Sequence, residues 1–315
     1  MSVQIQSEFF SDIDADVHFD ANIGAMTYFT IGGNVDAFVK PHSIEALSLL
    51  LQKCHNASIP FRVLGKGANL LIDDIGVDGV VVKLDHDCFT TSTFNREDSS
   101  GTMQSMSGAD LSKTVMETAR NGLHGLQAMA GIPASIGGAI RMNAGGKYGS
   151  ISDTLSTITT LTTSGEIVTH QASDLGFEYR KSNISDPIIL SATFQLIPDD
   201  PIKIREGVKE IFAWKKARQP LADTSAGCAF KNPIDEEGQH ISAGELIDDA
   251  GLKGFTIGGA QVSMQHANFI TTTENGTAKD VLVLMNEIRK RVLDHSGIEL
   301  QKEVVVWSRD SEGNS

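Results

Sequence analysis

One segment near the start of the chain combines glycines with polar residues in a way suited to a phosphate group. The sequence LGKGANLLI, at residues 64–72, follows an apolar run, and Gly65 and Gly67 let the backbone approach a ligand closely. Consecutive N–H groups in such a turn form a cradle for an anion, to which Lys66 adds charge, while Asn69 can fix the loop. The spacing is neither GxGxxG at a helix start nor a Walker loop, so it indicates neither a Rossmann fold nor a kinase. A tight turn between two strands is the alternative interpretation.

Two further glycine-rich pieces strengthen the case for a ligand site. Residues 131–149 read GIPASIGGAIRMNAGGKYG, and Thr30-Ile31-Gly32-Gly33 lies nearer the start. Loops this rich in glycine line a ligand or let two backbones touch. Three separate glycine turns in the first 150 residues therefore favour a bound ligand over simple chain reversals.

The cysteines and histidines predict neither disulfides nor a metal centre. Cys54, Cys88 and Cys228 are scattered and form no CxxC pair, which favours a reducing compartment. Cys54 falls on an apolar helical stripe, and neither it nor Cys88 has a chemical context, so both are interpreted as structural. None of the nine histidines has the spacing of metal ligands.

Composition excludes several classes of partner. The 315 residues carry a net charge of −14 with a pI of about 5.0, whereas nucleic acids and anionic membranes require a basic surface. The sequence opens without a basic start or a long apolar run, so we expect no secretory signal and no membrane span. These features predict a soluble, cytoplasmic protein, and we expect it to be a monomer.

Alternating strand and helix patterns must position the glycine turns. Strands are predicted at 35–40, 59–65 and 79–84, with a helix capped by Ser43 between the first two, which is a βαβ-type opening. Residues 1–20 lack clear periodicity and predict a mobile or loosely docked extension, and the residues from Ser308 onward predict a tail.

The middle of the chain predicts further helices and a hairpin. Asp110 can cap a helix that ends at Asn121-Gly122, and a turn at Ser164-Gly165 joins two strand-like runs. A strand is predicted at 188–196. A helix whose pattern includes Ile204 and Lys215 is predicted before Pro220.

The last third predicts a separate α+β unit. One helix runs from Ser242 to Ala250, and a second begins at a capping box of Thr277 and Asp280. A terminal strand is predicted at residues 298–307.

Seven short sequences occur in a characteristic order between Asn22 and Trp307: TIGG, LGKGANLLI, GLQAMAGIPASIGGAIRMNAGG, YRKS, SAGCAFKNP, GGAQVSMQHANF and LQKEV. In this order they resemble the UDP-N-acetylenolpyruvoylglucosamine reductases. The interval between Arg180 and Cys228 has no long insertion, so the chain is similar to the shorter form of the family, which lacks a tyrosine-bearing loop that closes over substrate.

The resemblance implies a fold and a reaction. The fold class is α+β, with a vanillyl-alcohol-oxidase-type FAD module of two subdomains, at 20–84 and 85–199, and a third α+β substrate-binding domain at 200–302. Residues 303–315 form the end of the last strand and the tail. The implied reaction uses NADPH and FAD to reduce UDP-N-acetylglucosamine enolpyruvate to UDP-N-acetylmuramate in peptidoglycan precursor synthesis, with hydride added at C3 and a proton at C2.

The resemblance also implies which residues bind the cofactor, with the 65–70 turn on the FAD pyrophosphate and 131–143 along the flavin. The implied FAD-binding residues are Thr30, Gly32, Gly65, Lys66, Gly67, Ala68, Asn69, Leu70, Gly131, Ile132, Pro133, Ser135, Gly137, Gly138, Ala139 and Asn143.

Three residues match the catalytic positions of the family. Arg180 would fork onto the substrate carboxylate and absorb developing charge. Cys228 takes the place of the proton donor, where serine is commoner, and its thiol is a much stronger acid than a hydroxyl. Glu303 is expected on a strand. Because a carboxylate near the substrate carboxylate is unfavourable unless one is protonated or a cation lies between them, we expect Glu303 to have a raised pKa or to pair directly with Arg180.

Five further residues are predicted to contact substrate or brace the site: Tyr179, Lys231, Asn232, His266 and Asn268. For His266 the two roles are equally weighted, and Tyr179 is interpreted as packing beside the flavin. Two other functions stay open on the residues alone, namely a different flavin oxidase or dehydrogenase and a flavin-binding protein without turnover.

Overall fold

The computed structural model describes residues 5–235 and 237–309. Within those ranges no helix combines the length and apolar character that a membrane crossing requires. The strands, in chain order, are β1 (Ala15–Asn22), β2 (Asn34–Pro41), β3 (Phe61–Val63), β4 (Leu70–Ile72), β5 (Val77–Val82), β6 (Ser92–Arg96), β7 (Gly101–Met106), β8 (Leu123–His124), β9 (Gly145–Gly146), β10 (Gly149–Ser150), β11 (Leu155–Leu161), β12 (Ile167–Gln171), β13 (Ile188–Pro198), β14 (Thr256–Ile257), β15 (Ala260–Val262), β16 (Ile270–Thr272) and β17 (Val305–Trp307).

The α-helices begin where the sequence supplies a capping side chain. They are α1 (Ile44–Asn56), α2 (Leu111–Arg120), α3 (Ile136–Arg141), α4 (Pro201–Arg218), α5 (Ala243–Asp249) and α6 (Ala278–Ser296). Ser43 accepts a hydrogen bond from Ala46 N, and Asp110 accepts one from Lys113 N. Ser242 caps α5 in the same way, and Thr277 forms the predicted reciprocal capping box with Asp280.

Chain contacts divide the protein into two compact units. Unit 1 comprises Asp36–Lys66, Gly79–Lys215 and the described residues before Asp20, whereas unit 2 comprises Asp20–Val35, Gly67–Asp78 and the described residues from Lys216 onward. The division into 20–84, 85–199 and 200–302 stays a prediction about functional domains.

Unit 1 contains two hydrophobic cores. One forms where α1 packs on the sheet of order β1-β2-β5-β3, in which β3 and β5 are parallel, as the βαβ-type opening predicts. The other lies against the antiparallel sheet of order β12-β11-β13-β7-β6 and includes residues of α2 and α3. The predicted hairpin is present, since β11 pairs with β12 and the turn between them contains Gly165, whose φ is +84°.

Unit 2 has a core of its own around α6. The inward face of this helix, with Leu284, Met285 and Ile288 fully buried, packs with α5 and the sheet β14-β15-β16. The short strand β17 pairs in parallel with β4, which brings Val305 beside Leu70.

Three predictions about local structure are wrong. Of the predicted extension at 1–20, the described residues 5–20 are not loose, because Phe10 and Ile13 are buried in a core and Ala15–Asn22 is a strand. The terminal strand covers only Val305–Trp307 rather than 298–307. Ser308 is buried and so does not begin a tail, while the rest of that predicted tail, from residue 310, lies outside the described residues.

Candidate functional site

The first part of the glycine turn belongs to unit 1 and approaches the start of α3. A Cβ on Gly65 would lie 2.7 Å from Ser135 Oγ, so the two segments are in close contact. Lys66 Nζ lies 2.6 Å from Asp110 Oδ2. Partial burial works against ionisation, yet hydrogen bonds from Lys66 and Lys113 N hold the pKa of Asp110 below its usual range. The charge of Lys66, which the sequence predicts to bind phosphate, is therefore partly neutralised by the Asp110 carboxylate.

The second part of the turn lies in unit 2. Gly67 has φ +68°, and a Cβ there would lie 2.8 Å from Thr27 Cα, so packing alone requires a glycine. The Asn69 side chain donates to the Glu303 carbonyl at 3.1 Å, and Asn69 O accepts from Val305 N. Asn69 therefore anchors the loop as expected, and it does so by bonding to the backbone of Glu303, a predicted catalytic residue.

The Thr30–Gly32 piece, also in unit 2, is strained. Thr30 has φ +56°, which is uncommon for a residue with a Cβ, and its hydroxyl donates to Phe29 O at 2.7 Å. Gly32 has φ +112°, and a Cβ on it would lie 2.3 Å from Ile72 O. Strain of this kind concentrates at ligand-binding positions.

The stretch predicted as a glycine-rich loop at 131–149 contains the helix α3. Ser135 caps this helix by accepting from Gly138 N, and the amides of Ile136 and Gly137 donate to Ala109 O and Ser107 O. A Cβ on Gly137 would lie 2.8 Å from Ser107 Cβ, which explains the glycine. Since these three amides are engaged, the start of α3 offers none of them to an anion.

Two buried polar atoms beside α3 have no hydrogen-bond partner among the described residues, namely Ser107 Oγ and Asn143 Oδ1. Asn143 is 6% exposed and has φ +41°, while its Nδ2 donates to Glu178 O. A buried polar atom left unsatisfied costs about 1–3 kcal/mol. Unsatisfied buried polar atoms and a left-handed residue such as Asn143 concentrate at functional positions, so the segment suits a polar ligand, and its assignment to FAD stays a prediction.

Arg180 is also held in unit 1. Its backbone has φ +55°, its Nη2 donates to Gly145 O at 2.9 Å, and its guanidinium lies 5.0 Å from the centroid of the Tyr179 ring. The loop that follows it is pinned by the Arg141 side chain, which donates to Ile184 O and Asp186 O. Tyr179 therefore packs against the catalytic arginine candidate.

Lys215 is a residue that sequence reasoning counted only as part of a helix face. Its side chain is 7% exposed, and Nζ donates to Ala128 O at 3.2 Å and to Ala130 O at 2.6 Å. Burial, with a smaller effect of Arg180, lowers its pKa to about 8. A lysine within an otherwise apolar helical stripe was the signal in the sequence.

In unit 2, Cys228 and Glu303 lie on neighbouring segments. The Glu303 N–H donates to Ala229 O at 2.9 Å, and Phe230 pairs with Lys302 in an isolated bridge. Gly227, with φ +76°, turns the chain just before the half-buried Cys228. The prediction that Glu303 lies on a strand is wrong, because β17 begins two residues later.

Asn268 braces the segment after Cys228. Its side chain accepts from Phe230 N at 2.9 Å and donates to Phe230 O at 2.8 Å, and it is 3% exposed. The Asn268 carbonyl accepts from Ala229 N. Of the two roles that the sequence left open for Asn268, these contacts support bracing.

The remaining predicted substrate residues lie in the same unit. His266 Nδ1 accepts from Asn268 N at 3.2 Å, and burial lowers the pKa of His266, so the ring is neutral near pH 7. Asn232 Oδ1 accepts from Ala243 N at the start of α5, and Lys231 N donates to Gln301 O. Their role as substrate contacts stays a prediction.

The other thiols differ from Cys228 in their surroundings. Burial raises the pKa of Cys54 to about 12, and burial also raises the pKa of Cys88. Neither thiol forms a thiolate easily. In the described ranges, no group of three or more His, Cys, Asp or Glu side chains is arranged to hold a metal ion.

Two family models match the chain. One, the FAD binding domain, matches residues 35–171, and the other, the C-terminal domain of UDP-N-acetylenolpyruvoylglucosamine reductase, matches residues 219–307. A UDP-N-acetylenolpyruvoylglucosamine reductase of Clostridium beijerinckii is 39% identical over 300 residues, which covers 94% of this chain and 95% of the relative.

Solved structures show the same similarity. The crystal structure of UDP-N-acetylenolpyruvylglucosamine reductase from Thermus caldophilus superposes with a TM-score of 0.76 at 33% identity, covering 93% of this chain and 99% of that one. A BBE-like 1 variant of Physcomitrella patens reaches a TM-score of 0.60 at 13% identity, covering 95% and 90%, and so shares the fold alone. The predicted fold class, α+β with a vanillyl-alcohol-oxidase-type FAD module, is confirmed.

Proposed function

Because the chain belongs to the UDP-N-acetylenolpyruvoylglucosamine reductases, FAD-dependent oxidoreductases of peptidoglycan precursor synthesis, we propose that NADPH supplies its electrons and that Arg180, Cys228 and Glu303 carry the chemistry on the substrate. The observation that carries the proposal is the junction in unit 2, where the Glu303 amide is bonded to Ala229, next to Cys228, and the Glu303 carbonyl to Asn69. This junction joins two catalytic candidates to the predicted cofactor turn.

FAD, when bound, would supply the two-electron chemistry that links oxidation of NADPH to hydride addition at C3 of the enolpyruvyl group. The residues proposed to hold it are the strained Thr30–Gly32 piece, the 65–70 turn and the 131–143 segment. The left-handed backbone of Thr30 and Asn143 and the unsatisfied polar atoms beside α3 support that assignment.

Arg180 is proposed to bind the substrate carboxylate. Hydride addition at C3 pushes electron density onto C2 and its carboxylate, so a guanidinium forked onto that group stabilises the transition state more than the ground state. The Gly145 carbonyl and the Tyr179 ring fix the position of the guanidinium before substrate arrives.

Cys228 is proposed to donate the proton to C2. The S–H bond breaks as the C2–H bond forms, and the resulting thiolate regains a proton from solvent, so each turnover consumes one hydride and one proton. A thiol with an unperturbed pKa of about 8.5 is largely protonated at pH 7 and is a far stronger acid than the serine hydroxyl that is commoner here. Its weakness is oxidation or alkylation.

Glu303 is proposed to act on the same proton or on the orientation of the substrate. Its backbone is fixed on both sides, by Ala229 O and by Asn69 Nδ2, so its side chain projects from a rigid position. A carboxylate close to the substrate carboxylate requires a proton or a cation between them.

The direct test mixes the purified FAD-containing protein with NADPH, with and without UDP-N-acetylglucosamine enolpyruvate, and follows absorbance at 340 nm. We expect NADPH oxidation that depends on substrate and exceeds the rate with NADH. If NADPH is consumed at the same rate without substrate, the proposed reaction is wrong. We further propose that the enzyme works as a monomer in the cytoplasm, where its free thiols stay reduced.

Substitution of Cys228 tests the proton donor. Cys228→Ala should leave reduction of the flavin by NADPH intact while product formation falls by at least about a hundredfold, the usual contribution of general acid catalysis. Cys228→Ser should keep measurable turnover and lose sensitivity to alkylation. Normal turnover by Cys228→Ala would remove Cys228 from the mechanism.

A further inference from the structure

Lys215 is the one charged side chain among the buried residues of the described chain. It extends from α4, and its ammonium donates to two backbone carbonyls, Ala128 O and Ala130 O. No carboxylate of the described residues pairs with it. The charge that acts on its pKa is that of Arg180, which has the same sign.

A lysine in this position is costly. A buried ammonium loses its hydration, and the dipoles of two carbonyls compensate less than a carboxylate would. An apolar side chain of similar length would fit the surrounding core, where Val208 on the same helix is already buried. A residue that costs stability and is buried beside a candidate site is a candidate for a functional role.

The two acceptor carbonyls belong to the turn that leads into the proposed cofactor segment. Met129 and Ala130 are buried, and Gly131 has φ +76°, with a Cβ position 3.4 Å from Lys215 Cδ. Short-range hydrogen bonds link this turn to the residues that follow it, since Ile132 N donates to Met129 O and Ala134 N donates to Ile132 O. A shift of the Lys215 acceptors would therefore move the backbone that starts the 131–143 segment.

We propose that Lys215 is a positioning residue, whose ammonium holds the 128–131 turn so that residues 131–143 can bind FAD. This inference rests on the assignment of FAD to that segment. Lys215 acts through backbone carbonyls and need not touch substrate or cofactor.

The geometry gives the role a pH dependence. Because the pKa of Lys215 is lowered to about 8, its charge is lost over a pH range in which an exposed lysine keeps it. The 128–131 turn contributes no titratable side chain, and the other charged groups nearby are Arg180 and Lys147, which lies 5.5 Å from the centroid of the Trp214 ring. The proposal assigns the change in this range to Lys215.

The experiment measures the dissociation constant of FAD from pH 6.5 to 9.5, by the recovery of flavin fluorescence on release, without substrate or NADPH. The wild-type protein should bind FAD about tenfold more weakly above pH 8.5 than at pH 7, as loss of a charge-assisted hydrogen bond implies. Lys215→Arg should bind FAD tightly and lose the alkaline fall, because a guanidinium stays charged. Lys215→Met should bind weakly at every pH, with a flat profile.

Lys209→Met is the matched control, since Lys209 is exposed on the same helix. Its FAD affinity and pH profile should equal those of the wild type. The proposal is overturned if Lys215→Arg keeps the alkaline fall, or if Lys215→Met binds FAD as the wild type does. If Lys215→Met does not fold, the Lys215→Arg profile still decides. If FAD affinity depends on Lys215 as expected but the protein shows no substrate-dependent turnover, this inference stands and the proposed reaction is wrong.

Discussion

The clamp that Asn268 forms on Phe230 provides a sharp test of how the Cys228 segment is held. The amide side chain makes two hydrogen bonds to the backbone of one residue, accepting from Phe230 N and donating to Phe230 O. Phe230 is 1% exposed, so water cannot replace either bond. The replacement Asn268→Ala removes both bonds.

The magnitude follows from the two groups left behind. A buried donor or acceptor without a partner costs about 1–3 kcal/mol, so loss of both bonds should lower the free energy of unfolding by about 2–6 kcal/mol. Domains of this kind are stable by about 5–15 kcal/mol, so the change is large enough to measure and leaves folded protein at low temperature. Turnover should fall as well, because Phe230 lies two residues after the proposed proton donor Cys228.

The assay is urea unfolding followed by the fluorescence of Trp307, which lies in the same unit as Asn268. The chain has one other tryptophan, Trp214, so a Trp214→Phe background isolates the fluorescence of Trp307. Gln265→Ala is the control, because this exposed side chain makes one hydrogen bond, to Lys216 O, within the same unit. It should change stability by less than about 1 kcal/mol.

The isosteric replacement Asn268→Asp separates hydrogen bonding from volume. When protonated, the new carboxyl can still donate to Phe230 O and accept from Phe230 N, whereas the carboxylate faces a carbonyl oxygen. Its destabilisation should therefore grow as the pH rises above about 4, the ordinary pKa of an exposed aspartate. A loss below about 1 kcal/mol for Asn268→Ala, together with a pH-independent Asn268→Asp, would refute the account of the clamp.

Three further changes have defined outcomes. Thr277→Ala removes the cap of α6 and should cost about 1 kcal/mol in urea unfolding, whereas Thr277→Ser should cost little, and equal losses would contradict the cap. His42 is bonded to Asp14, which raises the pKa of His42, so its stabilising effect is present below about pH 6.5 and lost as the pH rises through the raised value. The stability gap between wild type and His42→Gln should shrink from pH 6 to pH 8 in unfolding curves, and a constant gap would exclude this. Asn69→Ala breaks the bond to the Glu303 carbonyl and should lower turnover more than thermal stability, compared by rate and melting assays, while unchanged turnover would remove Asn69 from the site.

The amino-acid sequence by itself determined the family and the elements whose signals are local. The order of the glycine words and of SAGCAFKNP identified the family, which the relatives confirm. The caps at Ser43, Asp110 and Thr277 are confirmed because a capping side chain bonds to an amide only three residues ahead. The hairpin at Ser164-Gly165 is confirmed for the same reason, since its turn requires only adjacent residues.

Tertiary structure decided everything that depends on a distant partner. Residues 1–20 show no clear periodicity in the sequence, yet Phe10 and Ile13 are buried in a core that includes residues far along the chain. Gly67 is needed because Thr27 passes beside it, and the terminal strand shortens because β17 pairs with only three residues of β4.

The candidate site divides along the same line. Arg180, Cys228 and Glu303 could be located from the sequence, and their roles stay predictions. The sequence left bracing open for Asn268 and put Lys215 among apolar helix positions, but it could not name the partners of either side chain. A lysine on a helix reads as a solvated side chain until another segment covers it. Burial of Lys215 arises only when the 128–131 turn packs against α4, and the same packing directs its ammonium to two carbonyls and lowers its pKa.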